Sequence, residues 1–152
     1  MEDGCLRDLY QEIILDHFKR PRRKFRLDRY DLCEKRTNPL CGDDIVLYIN
    51  LEGGGRVSAS FEGRGCAISQ ASASIMVDNI NGKTIGECSA LWVRYKEMMD
   101  DNSGHDPSPA CDNSELEALR GIKRFPVRLR CADLAWQALE SALTNEKLDS
   151  LK

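Results

Sequence analysis

The chain has 152 residues, with 22 Lys and Arg against 25 Asp and Glu and a formal net charge of -3, so it offers no positive field for nucleic acid, and no DNA or RNA partner is expected. No stretch approaches membrane-spanning length, and the N-terminal segment lacks the uninterrupted apolar run of a signal peptide. Seven cysteines, an odd count with no export signal, point to reduced thiols used for metal or sulfur chemistry in a cytoplasmic protein rather than to disulfides.

Taken in chain order, Leu6, Leu9, Tyr10, Ile13, Ile14 and His17 recur at helical spacing, which predicts a helix from Leu6 to Lys19 that stops at Pro21. A basic stretch, Lys19 to Arg29, leads over a polar segment to the turn Asn38-Pro39-Leu40-Cys41-Gly42-Asp43. Ile45 to Leu51 and Arg56 to Glu62 have strand patterning, and Glu52-Gly53-Gly54-Gly55 supplies the hairpin turn between them. Two strands are not stable alone, so a third is expected from the segment before Cys41, or else helices must cover the pair. Gly63-Arg64-Gly65-Cys66 closes the second strand and opens a small-residue helix from Ala67 to Asn79. Thr84 and Glu87 have the spacing of a capping box at the start of another helix. Asp100 to Asn113 is rich in Asp, Asn, Ser, Gly and Pro and reads as an exposed loop, and a last helix begins near Pro126. The expected fold is α+β: one domain over residues 1–152, with a small antiparallel sheet of about three strands covered by helices.

Four side chains from separate segments are candidate metal ligands: Cys41, Asp43, Cys66 and Cys131. The Gly and Pro of the first turn can aim a thiol and a carboxylate at one point. Cys66 and Cys131 both lie at the positive start of a helix. Three thiolates and a carboxylate converging on one Zn2+ give a tetrahedral site, and the same donors could hold iron. Such a zinc site carries a formal charge of about -2, which two helix N-termini and Arg128 or Arg130 can offset. Asp44 is the alternative carboxylate, otherwise a solvated residue at the strand start.

The remaining polar residues have plainer readings. Cys88 is expected in a helix core, and Cys5, Cys33 and Cys111 as incidental loop thiols. His17 reads as a hydrogen-bonded helix residue and His105 as a solvated loop residue. Ala71-Ser72-Ala73-Ser74 suggests close helix packing, and Trp136 suggests core.

Three motifs in order, Asn38-Pro39-Leu40-Cys41-Gly42-Asp43, then Gly65-Cys66-Ala67-Ile68-Ser69-Gln70-Ala71-Ser72-Ala73-Ser74, then Arg128-Leu129-Arg130-Cys131-Ala132-Asp133-Leu134-Ala135-Trp136, resemble the U-type iron–sulfur assembly proteins, and within them the SufU branch. Leu9-Tyr10, Asp16-His17 and Pro21-Arg22 resemble that branch's N-terminal segment. Arg130 stands where scaffolds of the IscU type have histidine, and guanidinium, always protonated, is no ordinary ligand. Residues from about 100 to 119 resemble an insertion found in SufU proteins. The resemblance implies the U-type fold, Zn2+ on Cys41, Asp43, Cys66 and Cys131, and Cys41 as acceptor of persulfide sulfur from a SufS-type cysteine desulfurase, with downstream iron–sulfur assembly proteins receiving it. Arg128 is then either a surface cation or a residue that screens the site and touches the desulfurase. The alternatives are a scaffold that builds an iron–sulfur cluster on the same cysteines, and a zinc-stabilised interaction module. One departure is Pro21-Arg22-Arg23-Lys24-Phe25, where the family usually continues with Asn and a nearby Gly.

Overall fold

A computed structural model describes residues 2–100 and 114–144. Helix α1 (Glu2–Lys19) is followed by strands β1 (Leu32–Asn38), β2 (Asp43–Glu52) and β3 (Arg56–Arg64), then helices α2 (Ala67–Ile80), α3 (Ile85–Asp100), α4 (Ser114–Arg120) and α5 (Pro126–Thr144), with a 3-10 turn over Gly121–Arg124. The strands form an antiparallel sheet in the order β1-β2-β3. The third strand does come from the segment before Cys41, so Cys33, expected in a loop, lies within β1 and is exposed. A strand there alternates sides, and residues opposite the core can be polar without cost.

Period-two alternation sends Leu32, Asn38, Asp43, Ile45, Leu47 and Ile49 to buried positions on one face. Cross-strand pairing sets Asn38 opposite Asp43 and Arg36 opposite Ile45. Helices α2 and α5 pack together, α2 against β3 and α5 against β1 and β2, while α1 lies on α2 and α4. Helix α2 is buried from Ser69 to Val77 and again at Ile80, as expected of a helix surrounded on all sides. Its serines do more than permit close approach. Ser72 Oγ donates to the Ala132 carbonyl at 2.7 Å and accepts from Trp136 Nε1 at 3.0 Å, and Ser74 Oγ accepts the Arg22 N–H at 2.8 Å. Trp136 is core, stacked on Tyr95 with centroids 4.2 Å apart.

The predicted capping box is present: Glu87 N–H donates to Thr84 Oγ1 at 3.2 Å and Thr84 N–H to Glu87 Oε1 at 3.1 Å. Cys88 is buried in α3, and burial pushes its thiol up to about 12. The basic stretch runs beside the edge strand β3, where Phe61 N–H donates to the Arg23 carbonyl at 3.1 Å. Arg23 is left-handed at φ 52°, a conformation uncommon outside Gly and Asn, and its guanidinium holds the turn by donating to the Ala59 carbonyl and Ser58 Oγ. Among the described residues no helix is long and apolar enough to cross a membrane. Cys5, expected in a loop, lies within α1, which starts before the predicted Leu6, and the exposed loop expected at 100–113, with His105 and Cys111, falls almost wholly outside the described residues. The last residues of the 100–119 segment lie in α4 (Ser114–Arg120).

Candidate metal centre

Two glycines, Gly42 and Gly65, shape this site. Between Cys41 and Asp43, Gly42 takes φ 68°, a left-handed step that reverses the chain at little cost only without a Cβ. The turn is closed by the Cys41 N–H donating to the Asn38 carbonyl at 3.2 Å. Cys41 is thereby half-buried on a turn, while Asp43, the first residue of β2, points inward and is 1% exposed. At Gly65, φ is 147° and an added Cβ would collide with the Asp43 carboxylate. That absence of a side chain lets the carboxylate lie across the start of α2. Asp43 Oδ1 accepts the Cys66 N–H at 2.8 Å, and Oδ2 lies 3.9 Å from Cys66 Sγ. Cys66 holds the N-cap position of α2 without using its side chain as a cap, so its sulfur stays available to the site.

Helix α5 brings the last thiol. Cys131 is buried, with Sγ 3.6 Å from Cys41 Sγ. The donor atoms of Cys41, Asp43 and Cys131 lie within 4.8 Å of one another, and Cys66 joins them through Asp43. Burial pushes the Cys131 thiol well above its ordinary range, and Asp43, Cys41 and Cys66 beside it push the same way. The largest influences on Cys131 are thus burial and other would-be anions, an arrangement of donors suited to a cation. A tetrahedral ion with bonds of ~2.3 Å to sulfur sets two sulfurs ~3.8 Å apart, close to the 3.6 Å between Cys41 and Cys131. By donor chemistry and spacing the residues fit Zn2+, and thiolate-rich sites also take iron.

Other positions sort themselves around this centre. Asp44, the alternative carboxylate, is half-exposed with Oδ2 3.6 Å from Arg64 Nε, and it is Asp43 that lies with Cys41 and Cys131. Arg128 and Arg130 are exposed in the first turns of α5. His17 is 1% exposed and distant in role: Nδ1 is 2.7 Å from Ser74 Oγ and Nε2 is 2.9 Å from the Glu115 carboxylate. Sequence reasoning passed over three exposed apolar residues at the site's edge, Leu40 (79% exposed), Phe125 (60%) and Val127 (73%). Leu40 adjoins Cys41, and Val127 is one helical turn before Cys131. Their signal was an apolar residue next to Cys41 and two more just upstream of Cys131, at the start of a helix.

The chain belongs to the family described as the NifU-like N terminal domain, whose model matches residues 9–148. It is 40% identical over 139 residues to the zinc-dependent sulfurtransferase SufU of Bacillus subtilis (strain 168), covering 91% of this chain and 92% of that one. It is 36% identical to the iron–sulfur cluster assembly scaffold protein IscU of Streptococcus pyogenes serotype M1, covering 91% of this chain and 84% of the relative. Among solved structures, one from Fervidobacterium islandicum AW-1, proposed as the iron–sulfur assembly scaffold of its SUF system, superposes with a TM-score of 0.75 at 31% identity, over 88% of this chain and 95% of the other.

Proposed function

We propose that the protein is a zinc-dependent sulfurtransferase that accepts persulfide sulfur on Cys41 from a SufS-type cysteine desulfurase in the cytoplasm and passes it to iron–sulfur cluster assembly. The observation that carries this is the unequal exposure of two sulfurs 3.6 Å apart: Cys41 sits half-exposed on a turn, and Cys131 is buried in α5. One thiol can meet a partner while the others anchor the centre. Cys41, Asp43, Cys66 and Cys131 would hold the ion, which when bound supplies the positive charge that keeps three neighbouring sulfurs deprotonated. The Cys41 thiolate attacks the terminal sulfur of the desulfurase persulfide, the donor S–S bond breaks, and its electron pair leaves on the desulfurase cysteine. No electrons are gained or lost overall. Leu40, Phe125 and Val127 give the approaching partner an apolar rim, and Arg128 is a cation within reach of it. Similarity to the SufU of Bacillus subtilis supports the reading, and so does Arg130 in place of a ligating histidine.

The test is to incubate wild type and Cys41→Ala with the desulfurase and cysteine, then locate persulfide by mass spectrometry. Persulfide on Cys41 in the wild type, with the variant unable to stimulate the desulfurase, is the expected result. A fully active Cys41→Ala sinks the reading. The similarity to IscU scaffolds keeps a second reading, in which a cluster is built on the same cysteines; a stable cluster transferred intact to an acceptor would establish it.

A further inference from the structure

The turn that carries Cys41 contains a buried donor with nothing to donate to. Asn38 is 8% exposed and is the cross-strand partner of Asp43, on the inner face of the sheet. Its backbone carbonyl accepts the Cys41 N–H at 3.2 Å, and its Oδ1 accepts the Leu40 N–H at 3.3 Å. The second bond fixes the amide's orientation, because a flipped amide would set N–H against N–H. Nδ2 is then a buried nitrogen without a hydrogen-bond partner among the described residues. Leaving such a donor unmatched costs about 1–3 kcal/mol. Among the described residues, the other buried side-chain atoms without a matched hydrogen bond are oxygens on Ser60, Gln70 and Glu117, with Glu115 Oε2 facing His17 Nε2 at 2.9 Å, and none belongs to the Cys41 turn. Asp43 bonds elsewhere, Oδ1 accepting the Cys66 N–H and Oδ2 facing Cys66 Sγ, and neither oxygen is a partner of Nδ2.

We infer that Asn38 is a positioning residue for sulfur acceptance, its Nδ2–H donating to the outer, anionic sulfur of the Cys41 persulfide. This rests on the proposed sulfur-acceptor role of Cys41. When the Cys41 thiolate takes the terminal sulfur from the donor's R–S–SH, the products are Cys41 Sγ–SH and R–S⁻. Loss of that proton to solvent leaves an anion one S–S bond, ~2.0 Å, beyond Sγ. The added sulfur is an acceptor that the free thiol lacks, placed further from Cys41 than Sγ reaches. A neutral amide N–H facing a sulfur anion is a charge-assisted hydrogen bond.

Two substitutions separate this role from turn building. Asn38→Asp is nearly isosteric and keeps an oxygen for the Leu40 N–H, but sets a carboxylate where the donor was. Asn38→Ala removes both functions. Each zinc-loaded variant is mixed with persulfidated desulfurase under single-turnover conditions, and the amount and lifetime of persulfide on Cys41 are read by mass spectrometry, with zinc content measured in parallel. Both variants are expected to lose about ten-fold or more in persulfide yield or lifetime, the Asp variant at least as much as the Ala variant. Half-saturation by desulfurase should be unchanged. If Asn38→Asp matches wild type while Asn38→Ala fails, the side chain only builds the turn and the inference is overturned. Should Asn38→Asp lose zinc, wild-type yield and lifetime in zinc-loaded Asn38→Ala overturns it equally. Absence of persulfide on Cys41 in the wild type would instead bring down the sulfur-acceptor reading, and this inference with it.

Discussion

Helix α2 carries a polar cluster at its start and another two turns on, and the two are built in opposite ways. At the His17 cluster the partners are complementary. Ser74 Oγ accepts the Arg22 N–H, so its hydroxyl proton can go to His17 Nδ1, which leaves the ring proton on Nε2 facing Glu115. The Arg22 guanidinium closes on Asp16 at 2.6 Å. At the Cys41 cluster three thiols and a carboxylate crowd together, and Cys131 is buried among them. The first arrangement completes itself with its own donors, acceptors and charges. The second is a set of anions-to-be that needs a cation to be complete. Burial of polar groups therefore does not by itself mark a site; a surplus of one kind of group does.

The most direct way to break the comparison is to take the cation's donors away. Cys131→Ala or Cys66→Ala, or extraction of the metal by a chelator, should abolish tight zinc binding and lower Tm by about 10 °C or more, because in the proposed site ligands from β2, the start of α2, α5 and the Cys41 turn would be tied through one ion. Metal analysis and thermal melts check it. Unchanged zinc content in either variant would show that the ligand set is wrong. Asp43→Ala should loosen the metal with a smaller drop in Tm. It nevertheless loses the 2.8 Å bond to the Cys66 N–H, so some loss of fold stability is expected even in the metal-free protein.

Next in size is Gly65→Ala. The site depends on the Asp43 carboxylate lying over a residue with no side chain, at a backbone angle that other residues adopt with strain. The expected cost is roughly 2–3 kcal/mol, with zinc affinity falling together with stability. The same change at Gly82, also left-handed at φ 83° but with open space around it, should cost only the backbone strain and leave zinc affinity alone. Denaturant titrations with zinc measurement separate the two. Equal loss of zinc in both variants would show that strain, and not contact with Asp43, is what matters.

Much of this was legible in the residues. The helix boundaries near Pro21 and Pro126, the capping box at Thr84 and Glu87, and the hairpin around Gly53 to Gly55 are set by local rules that tertiary contacts do not override. What stayed hidden depends on register and on burial. Nothing local says that Cys33 falls in a strand, because β1 is polar on its outer face and is recognisable only once paired with β2. Nothing local separates Asp43 from Asp44 either; alternation along β2 sends the first inward and the second out to Arg64. The run Ala71-Ser72-Ala73-Ser74 showed small volume, but the partners of its hydroxyls come from Arg22, His17, Ala132 and Trp136, far along the chain.

The smallest expected effect sharpens the comparison from the other side, by perturbing the self-complete cluster. His17 is held below its ordinary pKa, first by burial and then by the Arg22 guanidinium, against the opposing pull of Glu115 and Asp78. A histidine kept neutral in the fold contributes stability that is fully present above its unfolded pKa, about 6.5, and is lost as pH falls below that value and through the lowered folded one. His17→Gln should cost roughly 1–3 kcal/mol at pH 7.5 and leave zinc content unchanged. The informative quantity is the difference between the wild-type and variant stability curves, measured by denaturant titration from pH 7.5 to 5.5, since acid weakens thiolate–metal binding equally in both. That difference should shrink as the pH drops, because only the wild type has a buried imidazole to protonate. Were it constant across the range, His17 would be charged or paired alike in the folded and unfolded chain, and the cluster beneath α1 would not be the closed, neutral-histidine arrangement that sets it apart from the metal centre.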